Sequence, residues 1–443
     1  MKRTVYLPVE VQRREWKAKL YLASKLLEEG YSVVIGKHYQ VRRYALTQQN
    51  GIYIDKSFFY NNSIELRKLK ERGFQILAWD EEGIINGDIH TYISQRVGKE
   101  TLDVCDVIFT WGEKQSEYIR KFYPEISYKI KRVGNPRIDI LRKENKKMYQ
   151  HKIQEIHKKY GNFILVNTNF LYATNENIYE QNKRMYIAQQ KDGGKAVKIL
   201  EGQIEKTKKV FELFIEGIEY LANNIPQTII IRPHPTEDVA VYKSIFGKYN
   251  NVHITNEYEV NVWIHGATAT IHNSCTSGLE SFIALTPTIA FLPDGLYTYE
   301  GAISNQVSRT VTKKESMLEC IRSIVSGELT EKEIYDSFFP NEKWDALKKY
   351  VEYSESKSSS EMILDNLDKG EINPRNNFTI RKCWEKAKNI YKDLVVTAEE
   401  GNYKWRKLNF ISIKKELNLL FDNKGRIKVY PVGSDVYFLG KGR

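Results

Sequence analysis

The sequence predicts an α/β protein built from two successive doubly wound domains and a C-terminal helical extension. Three observations predict it. Short β-branched runs alternate with amphipathic helical stretches, the pattern of βαβ units on a parallel sheet. The alternation starts afresh beyond a charged, helical stretch from Arg142 to Lys159. The 443 residues, 41% of them hydrophobic, suffice for two or three domains at about 100–200 residues each. The boundaries are expected at 1–150 for an N-terminal Rossmann-like domain and 151–355 for a C-terminal one. Residues 356–443 then form a helical extension packing back on both.

In the first domain, Thr4 to Leu7 is a short strand, and Arg13 to Glu29 carries Trp16, Leu20, Ala23 and Leu27 at helical spacing among charges. Gly30 stands where that helix stops, and Tyr31 to Gly36 is a second strand. The rhythm continues with a strand over 51–54, a helix over 64–73, and strands over 75–79 and 107–111. In the second domain, 163–167, 228–231, 252–254, 269–271 and 288–291 read as strands. A long helix spans Lys198 to Asn223 and another begins at Ser277. The Asn- and Gln-rich stretch from Ala173 to Lys198 is too polar for core and reads as a loop or lid. Ser354 to Ser360 reads as a linker, Thr379 to Asn418 as helical, and Val429 with Val436 to Leu439 as a small hairpin.

Composition narrows the class. A mean hydropathy of -0.52 argues against a polytopic membrane protein, and no run approaches the roughly 18 apolar residues of a membrane helix. Charge returns at Glu10 before a signal-peptide core can form, and four cysteines without short paired spacing exclude a disulfide scaffold and a zinc ribbon. A cytoplasmic location is expected. The excess of 68 Lys+Arg over 56 Asp+Glu, a net of +12, suits nucleic acid, an anionic membrane surface or a phosphorylated substrate. No zinc-finger, RRM-like or basic-zipper pattern accompanies it, so nucleic acid is not the expected partner.

Ligands of doubly wound sheets bind outside the carboxyl ends of the strands, here in a cleft between the halves, so strand-end residues are the candidates. Asp80-Glu81-Glu82-Gly83 follows a strand directly; crowded carboxylates suit a general acid or base, while an acidic helix start is the plainer alternative. Gly134-Asn135-Pro136-Arg137-Ile138-Asp139 is a tight turn expected to project Arg137 and Asp139 from a rigid, non-helical segment. Asp139 as a helix cap is its structural alternative. Arg232-Pro233-His234-Pro235 presents two donors suited to a phosphate at a strand's mouth. In the stretch from His272 to Glu280, Ser274, Thr276 and Ser277 stand at a helix start that suits an anion, and Glu280 could accept from sugar hydroxyls. Cys275 reads as packing. His265 and His272 lack the carboxylate that would complete a metal site, and no Asp-x-Asp pair ends a strand. Neither a metal nor a cofactor is expected.

Together with Leu7-Pro8-Val9-Glu10 and Arg14-Glu15, these clusters resemble bacterial surface-carbohydrate biosynthesis proteins. Those are similar in turn to GT-B glycosyltransferases that use CMP-activated Kdo or related nonulosonic acids. The resemblance covers roughly residues 1–300. It implies a GT-B-like fold, two Rossmann-type domains facing a cleft, with acceptor bound by the first and nucleotide sugar by the second. An acidic-acidic-Gly motif that supplies the base in such enzymes matches Glu81-Glu82-Gly83, leaving open which glutamate acts. A His-Pro motif that contacts CMP matches His234-Pro235, and a phosphate-holding Ser/Thr pair maps to Ser274 with Thr276 or Ser277. Asn135, Arg137, Arg232 and Glu280 complete the expected donor-binding set. Asp139 is the candidate nucleophile by position alone. The Glu-x7-Glu pattern of many sugar-nucleotide GT-B enzymes is not completed, since Thr288 lies eight residues beyond Glu280. The implied partners are a nucleotide sugar, a glycan or lipid-linked acceptor, and the anionic inner membrane as a peripheral surface. A sugar-nucleotide epimerase, a polyol-phosphate transferase and a non-catalytic nucleotide-sugar-binding scaffold are the alternatives.

Overall fold

The computed structural model describes residues 2–84, 89–175, 178, 180, 181, 183, 184, 195–298, 301–367, 410–420 and 427–441. Much of the polar stretch read as a lid, and the expected helix from residue 379 as far as residue 409, lie outside the described residues.

The first series of strands is β1 (Thr4–Val9), β2 (Ser32–Lys37), β3 (Ile52–Asp55), β4 (Gln75–Ala78), β5 (Val107–Thr110) and β6 (Ile130–Arg132). The second is β7 (Phe163–Asn167), β8 (Thr228–Arg232), β9 (Val252–Ile254), β10 (Ala269–His272), β11 (Thr288–Phe291) and β12 (Arg309–Val311). A final pair, β13 (Ile427–Gly433) and β14 (Val436–Lys441), forms the expected tail hairpin. The chain divides into two compact units, 1–140 with 348–443, and 141–347. The stretch expected as an extension, 356–443, falls within the first unit. Its described part includes two strands of that unit's sheet as well as the helix Phe410–Leu420.

The sheet of the first unit runs β13-β14-β2-β1-β3-β4-β5-β6, parallel from β2 to β6. Its strands are apolar at successive residues because both faces are covered. Val5, Leu7, Val33 and Ile35 enter one hydrophobic layer with Trp16, Leu20 and Leu27 of the helix Gln12–Glu28 and with Ile413 and Leu417. Tyr6 and Val34 enter the other, with Tyr44 and Phe74. Gly30, at φ 84°, ends the first helix as its position predicts. The hairpin closes the sheet by antiparallel pairing of β14 with β2, and Gly36 permits it. A Cβ there would lie 2.0 Å from the Asp435 carbonyl oxygen.

The sheet of the second unit is wholly parallel, in the order β12-β11-β10-β7-β8-β9. Each sheet has a point where the chain reverses its direction of growth: between β1 and β3 in the first unit, and between β7 and β10 in the second. Such reversals open a crevice at the carboxyl edge, which is where ligands of these folds bind.

Candidate functional site

At the mouth of the first sheet, three carboxylates in sequence receive three different environments. Asp80, fully buried, accepts from Arg96 Nε at 2.8 Å and Nη2 at 2.6 Å, from Tyr92 Oη at 3.3 Å, and from the Glu82 N–H at 3.1 Å. Glu81, 5% exposed, pairs with Lys19 Nζ at 2.8 Å and accepts from Trp79 Nε1 at 2.8 Å. Only Glu82 of the three reaches solvent, with 48% of its side chain exposed and Arg14 as its ion-pair partner. Gly83 is needed where it stands, since a Cβ would lie 2.0 Å from the Trp111 ring. That indole donates to the Asp80 carbonyl at 2.6 Å and lies under the Arg137 guanidinium, which itself donates to the Glu81 carbonyl at 3.2 Å.

Behind the acidic turn lies a network of buried charge that strand-end motifs alone did not reveal. Lys19 is 2% exposed and touches the Pro8 carbonyl at 2.5 Å, Glu15 at 2.9 Å and Glu81. Glu15 in turn accepts from the backbone N–H groups of Glu10 and Val11 at 3.0 Å. Lys19, with Arg14, holds the Glu15 carboxyl down to about 2 against its burial. Further along the edge, Arg42 clasps Asp55 at 3.1 and 3.3 Å, and Lys56 pairs with Glu10. The signal in the sequence was the i,i+4 spacing of Glu15 and Lys19 on an otherwise apolar helix face, and the charged residues Glu10 and Lys56 directly after β1 and β3.

Two expectations for the Gly134–Asp139 segment are corrected. Pro136–Asp139 is a single helical turn, not a non-helical projection, and Asn135 caps it by accepting from the Arg137 N–H at 2.9 Å. Asp139 is fully buried. Its oxygens accept from Ser359 N at 2.8 Å, Ser360 N at 2.8 Å and Ser360 Oγ at 2.6 Å. It seals the start of the helix Ser359–Leu364, so the serine-rich linker is an ordered cap and the proposed nucleophile has no oxygen presented to a substrate.

The mouth of the second sheet is built differently. Asn167 ends β7 opposite His272, which ends β10. The Asn167 Nδ2 and His272 Nδ1 atoms are buried and find no hydrogen-bond partner among the described residues. Ser277 Oγ, buried beside the Cys275 thiol, likewise makes no hydrogen bond of normal geometry. His272 donates or accepts at Nε2 with Ser308 at 2.8 Å, and burial pushes it down to about 3. Gly278 packs on its ring, where a Cβ would lie 2.2 Å from Nε2. Ser274, at φ 53°, turns the chain into the helix Thr276–Ile283 and accepts from Asn305 Nδ2 at 2.9 Å. Thr276 is exposed at that helix's first position and Glu280 is partly exposed one turn in. Cys275 is buried, and burial raises its thiol.

After β8, His234 is exposed and engages Thr236 Oγ1 through Nδ1 at 2.7 Å. Its loop is fixed by Glu237, a residue the motif reading missed. Glu237 is buried and accepts from Thr168 Oγ1 at 2.7 Å, Phe170 N at 2.6 Å, Tyr242 Oη at 2.7 Å and the His234 N–H. Arg232 turns away from this arrangement. It donates to the Glu257 carbonyl at 2.6 Å and the Tyr258 carbonyl at 3.3 Å, over the Trp263 ring, so part of the donor capacity expected for a phosphate binds the following loop. Among the described residues, no group of three or more His, Cys, Asp or Glu has metal-holding geometry, and no helix is long and apolar enough to cross a membrane.

No family model and no curated protein matches the chain. Solved structures do. A protein assigned as a UDP-N-acetylglucosamine 2-epimerase from Listeria monocytogenes is similar over 84% of this chain and 100% of its own, at 14% identity and a TM-score of 0.51. A variant of the wall teichoic acid polymerase TagF is similar over 82% of this chain and 87% of its own, at 13% identity and a TM-score of 0.50. The likeness is one of fold. The chain has the GT-B type of fold, with two Rossmann-like units.

Proposed function

We propose that the protein is a GT-B enzyme that binds a nucleotide-activated sugar and transfers the sugar to a glycan acceptor. The observation that carries the reading is a set of buried polar atoms at the β7–β10 crevice that make no hydrogen bond of normal geometry among the described residues: Asn167 Nδ2, His272 Nδ1 and Ser277 Oγ, the last beside the Cys275 thiol. Buried polar groups are nearly always paired, so three together at the point where such sheets bind ligands indicate groups held ready for one. With the N–H groups at the start of the helix Thr276–Ile283, they suit the phosphate of a nucleotide, and the exposed His234 adds a donor or acceptor. The names of the structural neighbours, an epimerase of UDP-N-acetylglucosamine and a teichoic acid polymerase, support a nucleotide-linked substrate.

In the first unit, Glu82 is the carboxylate placed to take a proton from an acceptor hydroxyl, because Glu81 and Asp80 are committed to internal partners. In the step this favours, the acceptor oxygen bonds to the anomeric carbon, its proton passes to Glu82, and the bond to the nucleotide phosphate breaks. Asp139, enclosed by Ser359 and Ser360, takes no part. The finer proposal keeps a CMP-linked Kdo or other nonulosonic acid as donor and a lipid-linked acceptor at the anionic inner membrane, with no metal or cofactor in attendance. A thermal-shift series with CMP, UDP, CDP and GDP tests it. Stabilisation by CMP alone supports the nonulosonic donor; stabilisation by UDP alone replaces it; no response to any of the four contradicts nucleotide binding. The neighbour named as an epimerase favours one second reading, interconversion of a UDP-sugar. That reaction consumes UDP-N-acetylglucosamine without an acceptor, whereas transfer needs one.

A further inference from the structure

The crevice between β1 and β3 carries a feature that the acidic turn after β4 does not explain. His38 directly follows β2, Glu10 follows β1, and Asp55 with Lys56 ends β3, so parallel pairing brings all of them to one carboxyl edge. His38 is 6% exposed, yet its Nε2 has no hydrogen-bond partner among the described residues, the nearest carboxylate oxygen being Asp55 Oδ1 at 3.9 Å. Its ring lies against that of Tyr39, centroids 4.8 Å apart and planes tilted by 48°, and Tyr39 is 69% exposed. A large aromatic face is thus offered to solvent on top of a buried imidazole with an unused nitrogen.

The charges around it are matched. Arg42 is committed to Asp55 and Lys56 to Glu10, so neither cation is left over for an anionic ligand. Burial, together with Arg42, Lys56 and Lys19, drives His38 down to about 2, so the imidazole is neutral at physiological pH and is a hydrogen-bonding group rather than a base. An aromatic face beside a few fixed polar groups is how proteins hold small neutral ligands, and a sugar ring presents both an apolar face and hydroxyls.

We propose that His38 and Tyr39 form a subsite for a neutral sugar at the β1–β3 crevice, with the ring on Tyr39 and a hydroxyl bonded to His38 Nε2. Naming that sugar as part of the glycan acceptor rests on the transfer reading above; its binding does not. The test is saturation-transfer NMR on the full chain with the methyl glycosides of glucose, galactose and N-acetylglucosamine, and with glycerol phosphate as the anionic probe. At least one neutral glycoside is expected to give a signal with the wild type and with Ser277→Ala. The signal is expected to fall about fivefold in Tyr39→Ala, a loss of aromatic stacking. It is expected to vanish in His38→Ala and to survive in His38→Gln, whose amide can still bond a hydroxyl. No signal from any neutral glycoside, a signal from glycerol phosphate alone, or an undiminished signal in Tyr39→Ala overturns the subsite. Tyr39 is exposed, so that variant folds even where His38→Ala does not. Nucleotide thermal shifts on the same samples separate the two ideas: shifts without glycoside signals sink the subsite and spare the nucleotide reading, and the reverse outcome does the opposite.

Discussion

The acidic turn of the first sheet and the β7–β10 crevice of the second are built on opposite plans. In the first unit, Lys19 pairs with Glu15 and Glu81, Arg96 pairs with Asp80, and one carboxylate of the acidic turn, Glu82, emerges half-exposed. In the second, the side chains are mostly neutral, and Asn167, His272 and Ser277 each hold a buried polar atom with no normal hydrogen bond among the described residues. A saturated network fixes the position and charge of a reacting group in advance. A set of orphaned donors and acceptors costs stability until a ligand completes it. The difference is the basis for proposing chemistry at the acidic turn and nucleotide grip at the β7–β10 crevice.

The largest effect that can break this contrast is expected at Lys19. Replacing it by Met leaves Glu81 buried without its cation and Glu15 with Arg14 alone, and urea unfolding should show a loss of about 3–5 kcal/mol. Pairing it with Glu81→Gln should recover part of that loss. Recovery of nothing, or no loss at all, refutes the network. Next is Asp139→Ala, which removes the acceptor of three hydrogen bonds donated by Ser359 and Ser360 and should cost about 2–3 kcal/mol. Sugar transfer per folded molecule should be unchanged, whereas a nucleophile's removal abolishes it.

The pH profile follows. His272 and His38 are neutral when folded, with values near 3 and 2, and titrate near 6.5 when unfolded. Below pH 6.5 the unfolded chain therefore binds more protons, and stability falls as pH decreases. Each histidine contributes a slope approaching about 1.4 kcal/mol per pH unit. Glu15, lowered from 4.5 to about 2, adds its own loss only below pH 4.5, so the histidines dominate between 6.5 and 4.5. Flat stability across that window contradicts their burial. The smallest effect on stability is Glu82→Gln. The exposed pair with Arg14 is worth about 0–1 kcal/mol, yet the substitution should suppress transfer while leaving nucleotide binding intact.

The alternating elements were legible because the central strands are buried on both faces and the helices on one, as at Tyr6 and Val5 or at Trp16, Leu20 and Leu27. Even the tail hairpin showed in its β-branched alternation. Partners distant in the chain left no such trace. Asp139 looked like a projecting acid because the helix start it seals lies 220 residues away. Lys19 went unremarked because its second carboxylate, Glu81, lies after a different strand. The serines at 358–360 looked like a linker until Asp139 and Glu361 turned them into a cap. Arg232 stood correctly at a strand end, but periodicity cannot say which way a guanidinium turns. In the second unit, Ser274 and Ser277 were legible as a helix start, while Asn167 was hidden as the last residue of an apolar strand.

The central claim is that the unpaired atoms of the β7–β10 crevice await a nucleotide phosphate. Titration calorimetry with whichever nucleotide stabilises the wild type, on Ser277→Ala beside urea unfolding of the same variant, tests it most directly. Removing a buried hydroxyl that makes no normal hydrogen bond should leave the free protein as stable as before or slightly more so, and should weaken the nucleotide about tenfold. Unchanged affinity in a folded Ser277→Ala protein contradicts the account.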